Sequence, residues 1–179
     1  VQKFDSQGNF LLKFNWRINL EGEIDKWYPW FVWAFGIALD SEGNIYVACD
    51  ADRVKKFDPK GNFLMQVKKS VIAWGVAVDK ELNIYAAGEL DYCAKFDSQG
   101  NELLRFGGKG ISDGEFRKPQ GVAVDQQGNV FVVDTGNRRV QKFEMRLVCW
   151  QCGALNPKGA RFCKDCGAPL RQAAAAWGK

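Results

Sequence analysis

Four of the six cysteines lie near the C-terminal end in two Cys-x-x-Cys pairs, formed by Cys149 with Cys152 and by Cys163 with Cys166. Two intervening residues let both sulfurs of one tight turn face a single ion. Two such turns supply four thiolates in a tetrahedral set, which suits Zn²⁺. Because protein ligands would fill all four positions, the spacing predicts one structural, non-catalytic Zn²⁺ per chain. Iron bound by four thiolates and a pair of disulfides are the alternatives.

The composition gives little support for catalysis. The chain has no histidine, which excludes Ser-His-Asp triads and Cys-His dyads within it. Acidic residues recur at the end of an apolar run, at Asp50, Glu89 and Asp134, and could suggest calcium binding or acid–base catalysis. Their spacing does not fit a calcium loop, so we expect them to hold turns by hydrogen bonds. The sequence therefore predicts a protein that is not an enzyme.

Length and charge describe a globular chain of one or two domains. It has 179 residues with a formal net charge of +4, and all of that excess lies after residue 143. The longest uncharged run, 27–39, has thirteen residues and is too short to span a bilayer. We therefore expect no membrane partner. The chain starts with Val1, inside a repeat, and we expect it to be the C-terminal piece of a longer protein.

Three similar units follow one another along most of the chain. They begin at Gly36, Gly75 and Gly121 with a Gly-x-Ala-x-Asp segment, and each continues through a turn to a second apolar run and a Lys-Phe pair. Asp-x-x-Gly-Asn sequences between the runs are typical of tight hairpins. Each unit thus reads as four short antiparallel strands, a to d, at the period of a β-propeller blade. We count thirteen such strands.

The third unit resembles an NHL repeat. The resemblance lies in GVAVDQQGNVFVVDTGNRRVQKF at 121–143 and in the preceding linker, 106–119. It implies an all-β fold, a partial NHL-type β-propeller of about three blades over 1–143, from a six-bladed or similar ring. Three blades leave two open edges, which invite pairing. Either further blades complete the ring, or copies self-associate. We expect the outer strand of the last blade to come from 9–14 or from 145–148.

The cysteine segment 149–170 resembles the zinc ribbons of bacterial and archaeal double-zinc-ribbon proteins. About twenty residues bury too little apolar surface to fold alone, so metal binding would supply the folding free energy. We predict a propeller fragment at 1–143, a linker or edge strand at 144–148, the ribbon at 149–170 and a tail at 171–179. Reduced thiolates fit a reducing compartment, which favours the cytoplasm.

An aromatic face is the candidate ligand-binding surface. The loops from strand d to strand a vary most between the units, and such loops commonly carry function. One reading is a stacking surface for a protein side chain, a sugar or a base, and the other is simple packing over a blade. The candidate residues are Trp27, Trp30, Trp33, Phe35 and Trp74.

These features together predict a non-catalytic binding or scaffold protein. The propeller loops would engage a protein or extended ligand, and the zinc ribbon would be a second interaction module. One alternative is a lyase- or lactonase-like propeller enzyme whose catalytic residues lie in upstream blades. Another is nucleic-acid binding through the basic ribbon. The propeller loops hold about as many acidic as basic residues, so they lack the basic face that RNA-binding NHL propellers need.

Overall fold

A computed structural model describes residues 1–13, 33–49, 53–67, 72–149, 151–152, 154–156, 160–170 and 175–176. The described chain is built from strands and one short 3₁₀ turn at Thr135–Asn137. The strands are β1 Gln2–Phe4, β2 Phe10–Lys13, β3 Ala34–Leu39, β4 Ile45–Cys49, β5 Arg53–Phe57, β6 Phe63–Gln66, β7 Ala73–Val78, β8 Ile84–Gly88, β9 Tyr92–Phe96, β10 Glu102–Gly107, β11 Pro119–Val124, β12 Asn129–Asp134, β13 Arg139–Glu144, β14 Arg146–Val148, β15 Leu155–Asn156 and β16 Ala175–Ala176.

The sheets reproduce the expected blades. Strands β3 to β6 form one four-stranded antiparallel sheet and β7 to β10 form a second, each in sequence order. Strands β11 to β13 form a three-stranded sheet, and β1 with β2 forms a two-stranded one. The predicted fold class is confirmed: an all-β chain of β-propeller blades, followed by a small sheet (β14 to β16) next to the cysteine pairs.

One hydrogen-bonded loop closes six of the hairpins. The first residue is an aspartate, and its Oδ1 accepts the backbone N–H of the asparagine four positions later at 2.8–2.9 Å. That asparagine also donates its side-chain amide to the same carboxylate. In the exposed loops, these bonds from asparagine lower the pKa of the aspartate, as at Asp5 and Asp58. The loop is therefore a local device that each Asp-x-x-Gly-Asn segment encodes by itself.

Leu82 occupies the glycine position of that loop in the second blade. Its φ is +64°, whereas the glycines at the same place in the other five loops have φ between +76° and +89°. Leucine in this left-handed region brings its Cβ close to the backbone. The loop keeps its hydrogen bonds, four to the Asp79 carboxylate and two between backbone groups, so the fold tolerates a strained residue there.

The blades pack face to face through their inner strands. One apolar core lies between the first and second blades around Tyr46 and Val76, and another lies between the second and third around Tyr85 and Val130. The first residue of the Gly-x-Ala-x-Asp segment permits this approach at Gly36 and Gly75. A Cβ on Gly36 would lie 2.7 Å from the Trp74 carbonyl oxygen in the next blade. The repeated glycine is thus a packing requirement between blades.

The last blade has three strands among the described residues, without the outer strand that we expected. Among the described strands, none pairs with the outer edge of β13: β2 pairs with β1, and β14 pairs with β15 and β16. Neither 9–14 nor 145–148 fills the position. The first segment lies before the first blade, and the second contributes β14 to the small sheet next to the cysteine pairs.

In the described part of the chain, no helix has the length and apolar character needed to cross a membrane.

Candidate functional site

The structure brings the four cysteines of the two Cys-x-x-Cys pairs together. All four Sγ atoms lie within 4.8 Å of one another. The Sγ atoms of Cys149 and Cys166 are 3.5 Å apart, and those of Cys152 and Cys163 are 3.6 Å apart. A disulfide requires about 2.05 Å, whereas a tetrahedral ion with bonds of about 2.3 Å spaces its sulfurs by roughly 3.8 Å. The arrangement fits a metal ion, and the cysteines are free thiols.

The two halves of this cluster have the same local geometry. Each cysteine pair is followed by Gly-Ala, and the N–H of its first cysteine donates to the carbonyl of that alanine, at 2.9 Å for Cys149 and 2.8 Å for Cys163. The N–H of Ala154 points to the sulfur of Cys152, and the N–H of Ala168 points to that of Cys166. Backbone donors thus surround a site that would carry the negative charge of thiolates.

Asn156 connects the two halves. Its side chain is buried, and its Oδ1 accepts the N–H of Lys164 at 2.9 Å. Its Nδ2 donates to the carbonyl of Ala154 at 2.8 Å and lies 3.6 Å from the Sγ of Cys163. Burial raises the pKa of Cys163, but backbone N–H groups and the Asn156 amide outweigh it and lower the pKa to about 6. The local sequence around Asn156 does not indicate this role, because Cys163 and Lys164 belong to the second cysteine turn.

Part of the predicted aromatic face is present as a cluster of three rings. Trp33 stacks on Phe35 with ring centroids 6.4 Å apart, and Phe35 contacts Trp74 of the next blade at 6.3 Å. Trp33 is 57% exposed and Phe35 is 48% exposed. We call these three residues the aromatic cluster; it lies where β3 and β7 begin. Trp27 and Trp30 lie outside the described residues.

Of the three acidic residues predicted to hold turns, Asp134 does so through its carboxylate. Its carboxylate is fully buried and accepts the N–H of Arg117 at 2.7 Å on Oδ1. On Oδ2 it accepts from Asn137 and from the Nε of Arg139, both at 2.9 Å. Glu89 is exposed and contributes its backbone N–H to Ile72. Asp50 lies outside the described residues.

Arg139 extends the Asp134 interaction to the loop before β11. Its Nη2 donates to the carbonyls of Ser112 at 2.6 Å and Glu115 at 2.9 Å. Gln141, two residues later in β13, donates to the same Glu115 carbonyl at 2.7 Å. The loop between the second and third blades is therefore fastened to the last strand, which makes it a rigid part of the surface.

Family models identify two units in this chain. An NHL repeat matches residues 116–143, and a zinc-ribbon domain matches residues 148–170. The first covers the third blade with the end of its preceding loop, and the second covers the cysteine cluster. Together with the blades and the gathered cysteines, they confirm the predicted recognition: the chain carries NHL-type β-propeller blades followed by a zinc ribbon.

The chain resembles short stretches of much longer animal proteins. It is 48% identical over 40 residues to the B-box type zinc finger protein ncl-1 of Caenorhabditis elegans, 22% of this chain and 5% of that protein. It is 42% identical over 55 residues to the E3 ubiquitin-protein ligase TRIM71 of Bos taurus, 31% of this chain and 6% of that one. It is 45% identical over 40 residues to Protein brain tumor of Drosophila melanogaster, which is 22% of this chain and 4% of that protein. The chain thus spans about a twentieth of these relatives.

Two solved structures resemble this chain weakly in overall fold. Kuenenia stuttgartiensis hydrazine synthase superposes with a TM-score of 0.46 at 18% identity, over 61% of this chain and 35% of that one. The WD40 β-propeller domain of Doa1 superposes with a TM-score of 0.45 at 13% identity, over 56% of this chain and 32% of that one. The blade assignment above depends on strand order and not on these superpositions.

Proposed function

We propose that this protein is a non-catalytic binding module in which the aromatic cluster on the propeller engages a partner protein. The observation that carries the proposal is the exposure of Trp33 and Phe35 on a rigid scaffold, since large aromatic side chains dominate binding energy at protein interfaces. The carboxylate that could have suggested catalysis, Asp134, is committed to structural hydrogen bonds.

The relatives support a binding role without supplying a partner. Their names include a zinc finger protein and an E3 ubiquitin-protein ligase, but the similarity covers only 40 to 55 residues. A ligase activity of this chain does not follow from so short a match, because function lies in sites and not in a fold.

The test is capture of a partner from a lysate of the organism that encodes the gene, with the whole chain as bait. Trp33→Ala combined with Trp74→Ala should reduce recovery of the captured protein about tenfold or more, because interface aromatics commonly contribute more than 1.4 kcal/mol. Leu103→Ala is the matched control, since Leu103 is an exposed apolar residue on the outer strand β10. Equal recovery by all three baits contradicts the placement of the binding surface.

For the ribbon we propose one Zn²⁺ held by Cys149, Cys152, Cys163 and Cys166 as a structural ion. When bound, the ion would supply the cross-link that a segment this short needs to fold. We further propose domain boundaries at 1–143 and 149–170, with 144–148 as the connecting segment that contributes strand β14, and with 171–179 as a tail. Because free thiolates require reducing conditions, we propose the cytoplasm as the location.

A further inference from the structure

The same β-bulge occurs near the start of β3, β7 and β11, the first strands of the three blades. In each of them, the pairing with the next strand shifts by one residue immediately before the first glycine of the repeat. A bulge turns a side chain out of the regular alternation of its strand, and bulges are common next to functional sites. We call the three bulged residues the bulge row: Phe35, Trp74 and Gln120.

The glycine after each bulge brings the members of the row together. A Cβ on Gly36 would lie 2.7 Å from the carbonyl oxygen of Trp74. One on Gly75 would lie 2.5 Å from the carbonyl oxygen of Gln120, so the two blade junctions repeat one backbone arrangement. At the first junction, the rings of Phe35 and Trp74 have centroids 6.3 Å apart. The repeated arrangement places Gln120 next after Trp74, and the three side chains follow one another across the blades.

Trp74 remains accessible although a blade packs on either side of it. Its own blade shares an apolar core with the first blade and another with the third, and the residue is still only half-buried. Gln120, on the third blade, is exposed. The accessibility of Trp74 therefore does not depend on what adjoins the first blade.

The Gln120 end of the row is basic. Arg117, Lys118 and Arg138 are all exposed there. The first two directly precede β11, and the N–H of Gly136 donates to the carbonyl of Arg117 at 2.7 Å, which holds the turn before Arg138 against that segment. In the part of the chain that the structure describes, no carboxylate forms an ion pair with any of these three side chains. Three cations are thus available next to Gln120.

Two acidic residues also lie near the row, in the loop after β8. Glu89 is exposed, and its N–H donates to the carbonyl of Ile72, directly before β7, at 3.1 Å. Asp91 accepts the N–H of Lys118 on Oδ1 at 2.7 Å. A single-stranded nucleic acid carries phosphates along its whole length and would meet Glu89 beside the strand of Trp74. The charges favour a ligand that is negative at the Gln120 end and apolar elsewhere.

We propose that the bulge row binds an extended peptide segment of the partner protein, with two apolar side chains on Phe35 and Trp74 and an acidic side chain at Gln120. The inference rests on the proposed function, because Phe35 and Trp74 also belong to the aromatic cluster. At the polar end, the Gln120 amide donates to the carboxylate of the peptide, which the neighbouring cations attract.

The spacing of the row fits an extended chain. Side chains on one face of such a chain repeat every two residues, or about 6.6 Å, and the rings of Phe35 and Trp74 are 6.3 Å apart. A helix is about 10 Å wide and needs an apolar groove, whereas the row is a single line of side chains. The recognised pattern is therefore an apolar residue, a second apolar residue two positions later, and an acidic residue two positions after that.

Selection from a phage-displayed library of random peptides, with the whole chain as bait, tests the pattern. We expect the enriched peptides to carry two apolar residues and one acidic residue at alternate positions. Synthetic copies of these peptides, measured by fluorescence anisotropy, should bind Trp74→Ala about tenfold or more weakly than the unchanged protein. No enrichment, apolar residues spaced four apart as on a helix, or a pattern without the acidic residue overturns the proposal.

A change of charge at Gln120 tests the polar end. Gln120→Glu should weaken binding of the acidic peptides about fivefold, and it should strengthen binding of the same peptides with lysine in place of the acidic residue. Gln127→Glu is the matched control, because Gln127 is also exposed but lies in the loop at the opposite end of β11. Circular dichroism checks that both variants are folded. Equal binding by both variants overturns the proposal.

The two variants of the row also separate this inference from the proposed function. Binding that falls in Trp74→Ala but not in Gln120→Glu retains the aromatic cluster as the binding surface and overturns the acidic peptide as its ligand. Binding that neither change weakens contradicts both. Oligouridine in the same assay is the nucleic-acid probe, and its displacement of the selected peptides at lower concentration than the peptides themselves overturns the proposal.

Discussion

Arg139 and Asp134 form a buried ion pair that joins the last two strands of the third blade to the loop before it. The Nε of Arg139 donates to Oδ2 of Asp134 at 2.9 Å, and the carboxylate is fully buried while the arginine side chain is 26% exposed. Its Nη2 donates to two backbone carbonyls of the loop, and its Nη1 lies 3.5 Å from Oδ1 of Asp113 in the same loop. This pair therefore determines the position of a surface loop as well as the stability of the blade.

Removal of Arg139 should destabilise the propeller strongly. In Arg139→Ala the buried Asp134 carboxylate loses its cation, and we expect the free energy of unfolding to fall by about 3 kcal/mol. Arg146→Ala is the matched control, because Arg146 pairs with Glu144 on the surface, where both side chains are 48% exposed. We expect that change to cost less than about 1 kcal/mol. Urea unfolding measures both, and equal losses would contradict the account.

The same carboxylate should make the propeller sensitive to acid. Burial raises the pKa of Asp134, but hydrogen bonds from Arg117, Asn137 and Arg139 outweigh it and hold the pKa below its usual value. Its contribution to stability is therefore complete above a pH of about 4 and is lost as the pH falls through the lowered folded-state pKa. In Asp134→Asn the free energy of unfolding should fall less steeply between about pH 4 and pH 2. Asn137→Ala, which keeps the carboxylate, should retain a steep dependence; equally steep curves for both variants would refute this assignment.

Leu82 offers a stabilising substitution. Because its φ of +64° is unfavourable for leucine and free for glycine, Leu82→Gly should raise the free energy of unfolding by about 0.5 kcal/mol, after the entropy that glycine costs. The reverse change in the matching loop of the first blade, Gly43→Leu, should lower it by about 1–2 kcal/mol. A Cβ at Gly43 meets only Pro59 at 3.6 Å, so crowding does not explain that loss. If Leu82→Gly destabilises the protein in thermal unfolding, backbone strain at this loop is not the dominant effect.

Asn156 should matter for metal binding although it is not a ligand. Asn156→Ala removes the amide that contacts Cys163 and the acceptor for the Lys164 N–H, so we expect metal affinity to fall about 10- to 100-fold. Competition with a chromophoric chelator measures the affinity. Lys164→Ala is the control, because its exposed side chain can be removed while its backbone N–H remains. An affinity unchanged in Asn156→Ala would mean that the two halves of the site hold together without this side chain.

The parts of the fold that the sequence predicts are those encoded by neighbouring residues. Each Asp-x-x-Gly-Asn loop makes its own hydrogen bonds within five residues, so six hairpins and the thirteen blade strands could be located without a structure. The same holds for each Cys-x-x-Cys turn. That the two turns meet could also be predicted, because a tetrahedral zinc site needs four thiolates around one ion.

The parts that could not be predicted depend on contacts between distant residues. Arg139 meets carbonyls that lie 24 and 27 positions earlier, and nothing in the local sequence distinguishes it from the neighbouring Arg138. Asn156 acquires its contacts with Cys163 and Lys164 only when the two cysteine turns meet. The strand at Arg146–Val148 could equally extend the last blade or the ribbon, and pairing with Leu155–Asn156 in the ribbon decided between them.

The central claim is that β-propeller blades are joined here to a ribbon closed by four sulfurs around one metal ion. X-ray absorption at the zinc edge, with elemental analysis of the purified whole chain, tests it most directly. We predict one Zn²⁺ per chain with four sulfur neighbours at about 2.3 Å, and loss of that signal in Cys166→Ser while the strand signal of the blades in circular dichroism persists. A metal-free chain whose cysteines are paired in disulfides, or zinc coordinated by nitrogen and oxygen, would contradict it.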